Sequence, residues 1–422
     1  MIMRVDALNY SDTVGGAARA AYRLHHALLK QGIDSRLVVN QKNLTETKID
    51  GPSSWFEYFR YRVSSKLSRL VMKLLKTKSY LYHSPACIPS SRSKALNASN
   101  ADLVQLHWIN GEMLSIPDLA GINKPLVWTL HDMWGFCGAE NYTEDLRWHN
   151  GYTSTNRPSY EAGLDINRWT WLRKKKYWTK PIQMVTPSRW LADQIQSSQL
   201  MRDWPIRVIA NPINTDEWRP LNKIEVRQEL GLPQHVPLLL FGALGGGADP
   251  RKGFDLMAES LAHLKPTLPN LELLIFGQSE PENPVDYGFK THYMGHIGND
   301  ADLQALYSAA DVMVVPSRQE AFGQTASEAL ACGCPVAAFA ATGLLDVVEH
   351  KVSGYLAEPY DVADLAFGIG WLVMQQKESN ALRDQARRRA LEHFSYPIIA
   401  KQYSTLYQEV IDRHYSKHET IK

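Results

Sequence analysis

A chain of 422 residues exceeds what one ordinary hydrophobic core organises, so two domains are expected. Its 44% hydrophobic and 21% charged residues exclude a disordered chain, and a net charge of +2 gives no overall pull toward nucleic acid. No apolar run approaches the ~20 residues of a membrane-spanning helix.

The N-terminal MIMRVDALNY lacks the apolar core and cleavage site of a signal peptide. Cys87, Cys137, Cys332 and Cys334 include no second close pair to complete a zinc site, and free thiols in a cytoplasmic setting are expected. Residues 3–8 read as a short strand punctuated by Gly15-Gly16. Ala18, Ala21, Tyr22, Leu24, Ala27, Leu28 and Leu29 then recur at helical spacing until Gly32, and 36–40 is the next strand. This β-α-β opening predicts a parallel sheet covered by helices on both faces.

Residues 55–78 form a separate constellation, predicted as one helix. Phe56, Phe59, Val63, Leu67, Leu70, Val71, Leu74 and Leu75 keep helical spacing, while seven Lys or Arg stand against the single acid Glu57. A basic amphipathic helix of this kind suits a peripheral membrane contact; an ordinary helix covering the first core is the other reading. Its interleaved residues are mostly aliphatic rather than stacking platforms, which argues against nucleic acid. Strands follow at 103–107, 126–131 and 183–187, and Ser188 caps the helix WLADQI.

The polar stretch 211–222, with Pro212 and Pro220, reads as a hinge. A second series opens with the strand 237–243 and the run Gly245-Gly246-Gly247. It continues with strands at 271–277, 312–316 and 335–338 and helices near 302–310 and 324–332. From Phe394, aromatic and aliphatic residues return at helical intervals. The expected organisation is α/β throughout: a Rossmann-like acceptor-side domain at 1–210, a hinge at 211–222 and a Rossmann-like donor domain at 223–393. A terminal helix at 394–422 packs back on the first domain. Both doubly wound sheets then present their strand ends to a shared cleft, where ligands bind in such folds.

Residues just after strands carry the chemistry. Glu320 and Glu328 flank Phe322-Gly323-Gln324, whose backbone N–H groups would open a helix. A carboxylate there suits the vicinal hydroxyls of a ribose. Spacing alone equally fits a solvated loop residue and a surface helix residue. Asp249-Pro250-Arg251-Lys252-Gly253 follows the glycine run, and two adjacent cations there can neutralise a diphosphate. The alternative is a solvated basic turn. His131-Asp132 ends a strand; His131 can bond a sugar hydroxyl with Asp132 orienting it, or the two can be a capping pair. Gly15-Gly16 lacks the full dinucleotide fingerprint, so NAD is not indicated, but Gly16 leaves room for a ligand near the first helix.

These motifs together resemble glycosyltransferase family 4. The resemblance rests on Glu320 to Glu328 with Phe322-Gly323 between them, and on Glu328-Ala329-Leu330-Ala331-Cys332-Gly333 leading to Pro335-Val336. It extends to Asp311-Val312 through Pro316-Ser317, Thr342-Gly343 through Gly354-Tyr355-Leu356, and Arg251-Lys252-Gly253. Asn211-Pro212-Ile213-Asn214 is similar to the family's interdomain motif, where a glycine is more usual than Pro212.

The resemblance implies a GT-B fold and retaining, metal-independent transfer from a UDP- or GDP-linked sugar, with no other cofactor. It implies Arg251 and Lys252 on the diphosphate, Glu328 on the ribose and Glu320 near the donor sugar. Backbone groups of Ala321, Phe322 and Gly323 would meet the sugar hydroxyls, His131 would touch the sugar, and His296 and Ile297 would border the base. The acid common after the glycine pair is replaced here by Thr342-Gly343-Leu344-Leu345-Asp346, which leaves that turn's role open. The chain looks most like bacterial enzymes of exopolysaccharide or O-antigen assembly. A lipid-linked or oligosaccharide acceptor and a peripheral place at the inner face of the plasma membrane are the matching expectations. A non-transferring enzyme of the same fold, such as a nucleotide-sugar epimerase or a sugar phosphorylase, is the alternative.

Overall fold

A computed structural model describes residues 2–242 and 249–419, so the run Gly245-Gly246-Gly247 lies outside the described residues. The chain divides into two compact units, Met1–Pro212 with Ile399–Lys422, and Ile213–Ile398.

The first unit holds β1 (Arg4–Ser11), β2 (Asp34–Gln41), β3 (Ile49–Asp50), β4 (Leu75–Thr77), β5 (Leu103–Leu106), β6 (Leu126–Thr129), β7 (Glu161–Gly163), β8 (Gln183–Thr186) and β9 (Ile206–Val208). Seven of them build one parallel sheet in the order β3-β2-β1-β5-β6-β8-β9. The chain runs outward from β1 and returns on its other side at β5, so the topological switch lies between those two strands. The helix Gly16–Lys30 packs Leu24 and Leu28 onto the sheet beside Val5, Leu103, Val127 and Val185. Tyr403, Leu406, Tyr407 and Val410 of the helix Tyr396–Glu419 complete this cluster. Two phenols of that helix are satisfied there: Tyr407 donates to Gln105 Oε1 at 3.0 Å, and the Tyr403 and Thr129 hydroxyls meet at 2.9 Å.

The second unit holds β10 (Leu238–Gly242), β11 (Glu272–Phe276), β12 (Lys290–Tyr293), β13 (Val312–Val315), β14 (Val336–Phe339) and β15 (Gly354–Ala357), all parallel in the order β12-β11-β10-β13-β14-β15. Its switch point falls between β10 and β13. Leu239, Phe241, Leu273, Val312, Val314 and Phe339 form the apolar face under the helices Phe254–Leu264 and Val362–Glu378. Asp311, at the entry to β13, accepts from Leu238 N at 2.7 Å and from Arg227 at 2.8 Å, and also pairs with Lys223.

One secondary-structure expectation is corrected in the first unit. The helix predicted over 55–78 ends at Met72, and Leu75–Thr77 is strand β4, paired antiparallel with β7. Leu75 is buried against Ala139 and Ile166, and a Cβ at Gly163 would lie 2.3 Å from Leu74 O, so only a glycine admits this pairing. Strands β12 and β15 also went unforeseen. Lys290–Tyr293 is a polar edge strand (KTHY) with no apolar run to announce it.

Candidate functional site

The second unit's switch point assembles the two motifs that the sequence separates by some seventy residues. Asp249 caps the short 3-10 turn Pro250–Lys252, accepting from Arg251 N at 3.1 Å and gripping its guanidinium at 3.0 and 2.7 Å. Gly253 then turns with φ 67°. A Cβ at this glycine would stand 1.9 Å from Pro316 O, so the turn after β10 lies hard against the strand end after β13. Arg318 N closes the contact on Arg251 O at 2.7 Å.

Glu320 sits where this contact delivers it. Its Oε1 receives Lys252 Nζ at 2.6 Å and the Ser317 hydroxyl at 3.0 Å. Its backbone is clamped as well: its N–H donates to Thr342 Oγ1 at 3.1 Å, and its carbonyl accepts from Gly343 N at 2.9 Å. Thr342 holds φ 53°, and a Cβ at Gly343 would approach Ala321 O to 2.5 Å. The turn that the resemblance left open is thus a clamp on the carboxylate loop.

Glu328 lies on the helix Gln324–Ala331 and is 1% exposed, with Oε2 accepting from Tyr307 Oη at 3.1 Å. It is therefore not a surface helix residue. Ala321 and Phe322 are buried, Phe322 packs edge-on to Phe394 at 5.5 Å, and Gly323 (φ 99°) starts the helix. His296 is exposed and Ile297 half-buried; both follow Gly295, whose carbonyl accepts from Gly277 N at 2.8 Å just past β11.

His131, Asp132 and Gly16 belong to the first unit. The expectation that Asp132 orients His131 is corrected by the geometry: His131 Nε2 meets His107 Nδ1 at 3.0 Å. Asp132 instead accepts from Trp108 Nε1 at 2.9 Å and from Trp134 N at 3.0 Å. The reason is register. β5 and β6 are adjacent, so the pair His107-Trp108 after one strand reaches the pair His131-Asp132 after the other. Burial pulls the His131 pKa down to about 4 and that of His107 well below the ordinary value, so both rings are neutral near pH 7. The loop beyond is anchored from beneath by the buried Lys174, which donates to the carbonyls of Trp134, Cys137 and Gly138. Gly16 is the exposed first residue of its helix, behind Gly15 at φ 91°.

The helix Trp55–Met72 is turned opposite to an ordinary amphipathic helix. Ser64 and Ser68 are buried, while Trp55 (76% exposed), Tyr58, Phe59, Leu67 and Leu70 (56%) face outward. Among the described residues no helix is long and apolar enough to cross a membrane.

Two doubly wound parallel-sheet units, the second with its charged loops at the switch point, define an α/β protein of the GT-B glycosyltransferase fold. Sucrose-phosphate synthase from Thermosynechococcus elongatus superposes with a TM-score of 0.67 at 18% identity, over 97% of this chain and 100% of that one. HepE of Anabaena in complex with UDP-glucose gives 0.63 at 17% identity, over 96% and 100%. The chain belongs to glycosyltransferase family 4: the family profile "Glycosyltransferase Family 4" matches residues 14–217, and "Glycosyl transferases group 1" matches 223–389. A D-inositol 3-phosphate glycosyltransferase of Thermobispora bispora is 31% identical over 50% of this chain and 52% of its own length. An uncharacterized glycosyltransferase of Methanocaldococcus jannaschii is 26% identical over 54% and 60%. The chain thus matches about half to three-fifths of the length of these two relatives.

Asp249, Ser317, Thr342, Tyr307, His107 and Trp108 were not singled out in the sequence. Asp249, Ser317 and Thr342 lie inside motifs that the sequence shows but carry no assigned role there, whereas Tyr307 comes from the helix Asp300–Ala309 and His107 and Trp108 follow β5.

Proposed function

We propose that the protein is a retaining glycosyltransferase that moves a sugar from a UDP- or GDP-sugar to a lipid-linked glycan in cell-surface polysaccharide assembly. The observation that carries this reading is the contact between the 249–253 turn and the 316–320 loop, with Lys252 on Glu320 at 2.6 Å and Arg251 alongside. On this reading the two cations would meet the charge gathering on a departing diphosphate, and the carboxylate would face the sugar. The UDP-glucose held by HepE supports a nucleotide-sugar donor.

Retention needs either a covalent intermediate or attack from the leaving group's face. Glu320 Oε1 is already engaged by Lys252 and Ser317, which blunts it as a nucleophile. The reading is therefore same-face substitution. The bond from the anomeric carbon to the phosphate oxygen breaks, the acceptor oxygen bonds to that carbon, and its proton passes to the leaving phosphate. The positive charge for this step comes from Arg251 and Lys252 rather than from a metal ion. The outward apolar and cationic face of Trp55–Met72 supports a peripheral place at an anionic membrane, where such an acceptor resides.

Arg251→Ala tests the reading. Loss of leaving-group stabilisation should lower donor turnover by about a hundredfold. An unchanged rate overturns it, and release of an epimerised sugar without acceptor would favour the epimerase alternative.

A further inference from the structure

The two histidines at the ends of β5 and β6 allow their proton positions to be worked out. His107 is buried, and its Nε2 has no hydrogen-bond partner among the described residues, while its Nδ1 lies 3.0 Å from His131 Nε2. A neutral imidazole carries its proton on one nitrogen and a lone pair on the other. If the His107 proton were on Nε2, a buried N–H would be left undonated. With the proton on Nδ1, the N–H is used and only a lone pair goes unmatched. Unmade donors are the rarer and costlier defect in protein interiors.

His107 Nδ1–H therefore donates to His131 Nε2. That nitrogen must then be the acceptor of its ring, and the His131 proton is confined to Nδ1. The two rings lie within 16° of parallel, with centroids 5.3 Å apart. Trp128 Nε1 fixes the His107 backbone by donating to its carbonyl at 3.0 Å. The neighbouring pair repeats the device, since Trp108 Nε1 holds Asp132 Oδ2 at 2.9 Å.

We propose that His107 is a positioning residue that locks His131 as a neutral Nδ1–H donor, so that His131 offers a hydrogen bond to an oxygen of the bound ligand and does not serve as a general base. The ligand oxygen is, on the reading above, a hydroxyl of the donor sugar; the proton assignment itself does not depend on that reading. His131 Nε2 is occupied by His107, which leaves Nδ1 as the ring's polar atom for an outside partner. A base would need a free lone pair facing the ligand, and the lock denies it one.

The test combines a spectroscopic and a kinetic readout on the full chain. Imidazole 15N NMR of the ligand-free protein, with the His131 signals assigned by their loss in His131→Ala, reports the tautomer directly. The Nδ1–H form is expected in the wild type, and the Nε2–H form there overturns the proposal. His107→Ala should release the lock and give a mixture of tautomers. His107→Asn, whose side-chain N–H can stand in for Nδ1–H, should restore the single form. With UDP- and GDP-sugars as donors, His107→Ala should lower kcat by about tenfold, the worth of one hydrogen bond. His107→Asn should recover most of it. The double variant His107→Ala/His131→Ala should be no slower than His131→Ala alone. Additive losses, or a His107→Ala spectrum identical to the wild type, refute the positioning role. Absence of any donor turnover with the tautomer result intact would refute the functional reading alone.

Discussion

Substituting Gly253 by alanine tests whether the site depends on the basic turn lying against the carboxylate loop. Two costs arise. Gly253 holds φ 67°, and forcing an alanine into the left-handed region costs roughly 1–2 kcal/mol. Gly231, in the same unit, holds φ 66° with nothing among the described residues within 4 Å of its ideal Cβ, so Gly231→Ala carries that cost alone. At Gly253 the added carbon would meet Pro316 O at 1.9 Å. Carbon and oxygen normally stay at least about 3.3 Å apart, and a backbone carbonyl cannot swing aside.

The turn and the strand end must then part by more than an ångström. The Arg318–Arg251 backbone bond at 2.7 Å and the Lys252–Glu320 contact at 2.6 Å both break. At about 1 kcal/mol for the first and somewhat more for the charge-assisted second, Gly253→Ala should cost about 2–3 kcal/mol beyond Gly231→Ala. Scanning calorimetry of the two variants, read as the difference between their transition shifts, measures this. Donor turnover of Gly253→Ala should also collapse while Gly231→Ala keeps wild-type rates. Equal calorimetric shifts and equal rates would refute the reasoning.

Replacing Lys66, Arg69 and Lys73 with Glu should abolish cosedimentation of the protein with vesicles rich in anionic phosphatidylglycerol; undiminished cosedimentation would count against the membrane contact. Burial alone would raise the Asp311 carboxyl, but Lys223, Arg227 and the Leu238 N–H outweigh it and hold the group below its ordinary range. A depressed carboxyl stabilises the fold fully above its unfolded value of about 3.9, and that stability is lost as pH falls through the folded value. Asp311→Asn should therefore lower the melting temperature at neutral pH, on the order of 3 kcal/mol of stability, and the deficit should shrink below about pH 4. A deficit constant from pH 7 to pH 3 would contradict this.

The alternation of apolar runs with helical spacing was enough to expect two parallel sheets, because buried parallel strands such as VMVV and LLLFG leave a strong local mark. Polar or short edge strands leave none, hence the surprise at Lys290–Tyr293 and Ile206–Val208. Periodicity in the helix Trp55–Met72 told which residues share a face, but not that Ser64 and Ser68 would be the ones turned inward. The charged residues of the site were visible from their types and positions after strands. Their partners were not, since Thr342 reaches Glu320 and His107 reaches His131 only through strand order, and Tyr307 reaches Glu328 from the neighbouring helix Asp300–Ala309.

The most direct test of the central claim is a titration of the wild-type protein with UDP, GDP and their sugars, followed by thermal shift and by release of the free nucleoside diphosphate. At least one nucleotide sugar should raise the melting temperature saturably and be hydrolysed slowly, with both effects reduced in Lys252→Ala. No saturable shift with any of them, or a full shift retained in Lys252→Ala, would contradict the assignment of the switch-point site to a nucleotide-sugar donor.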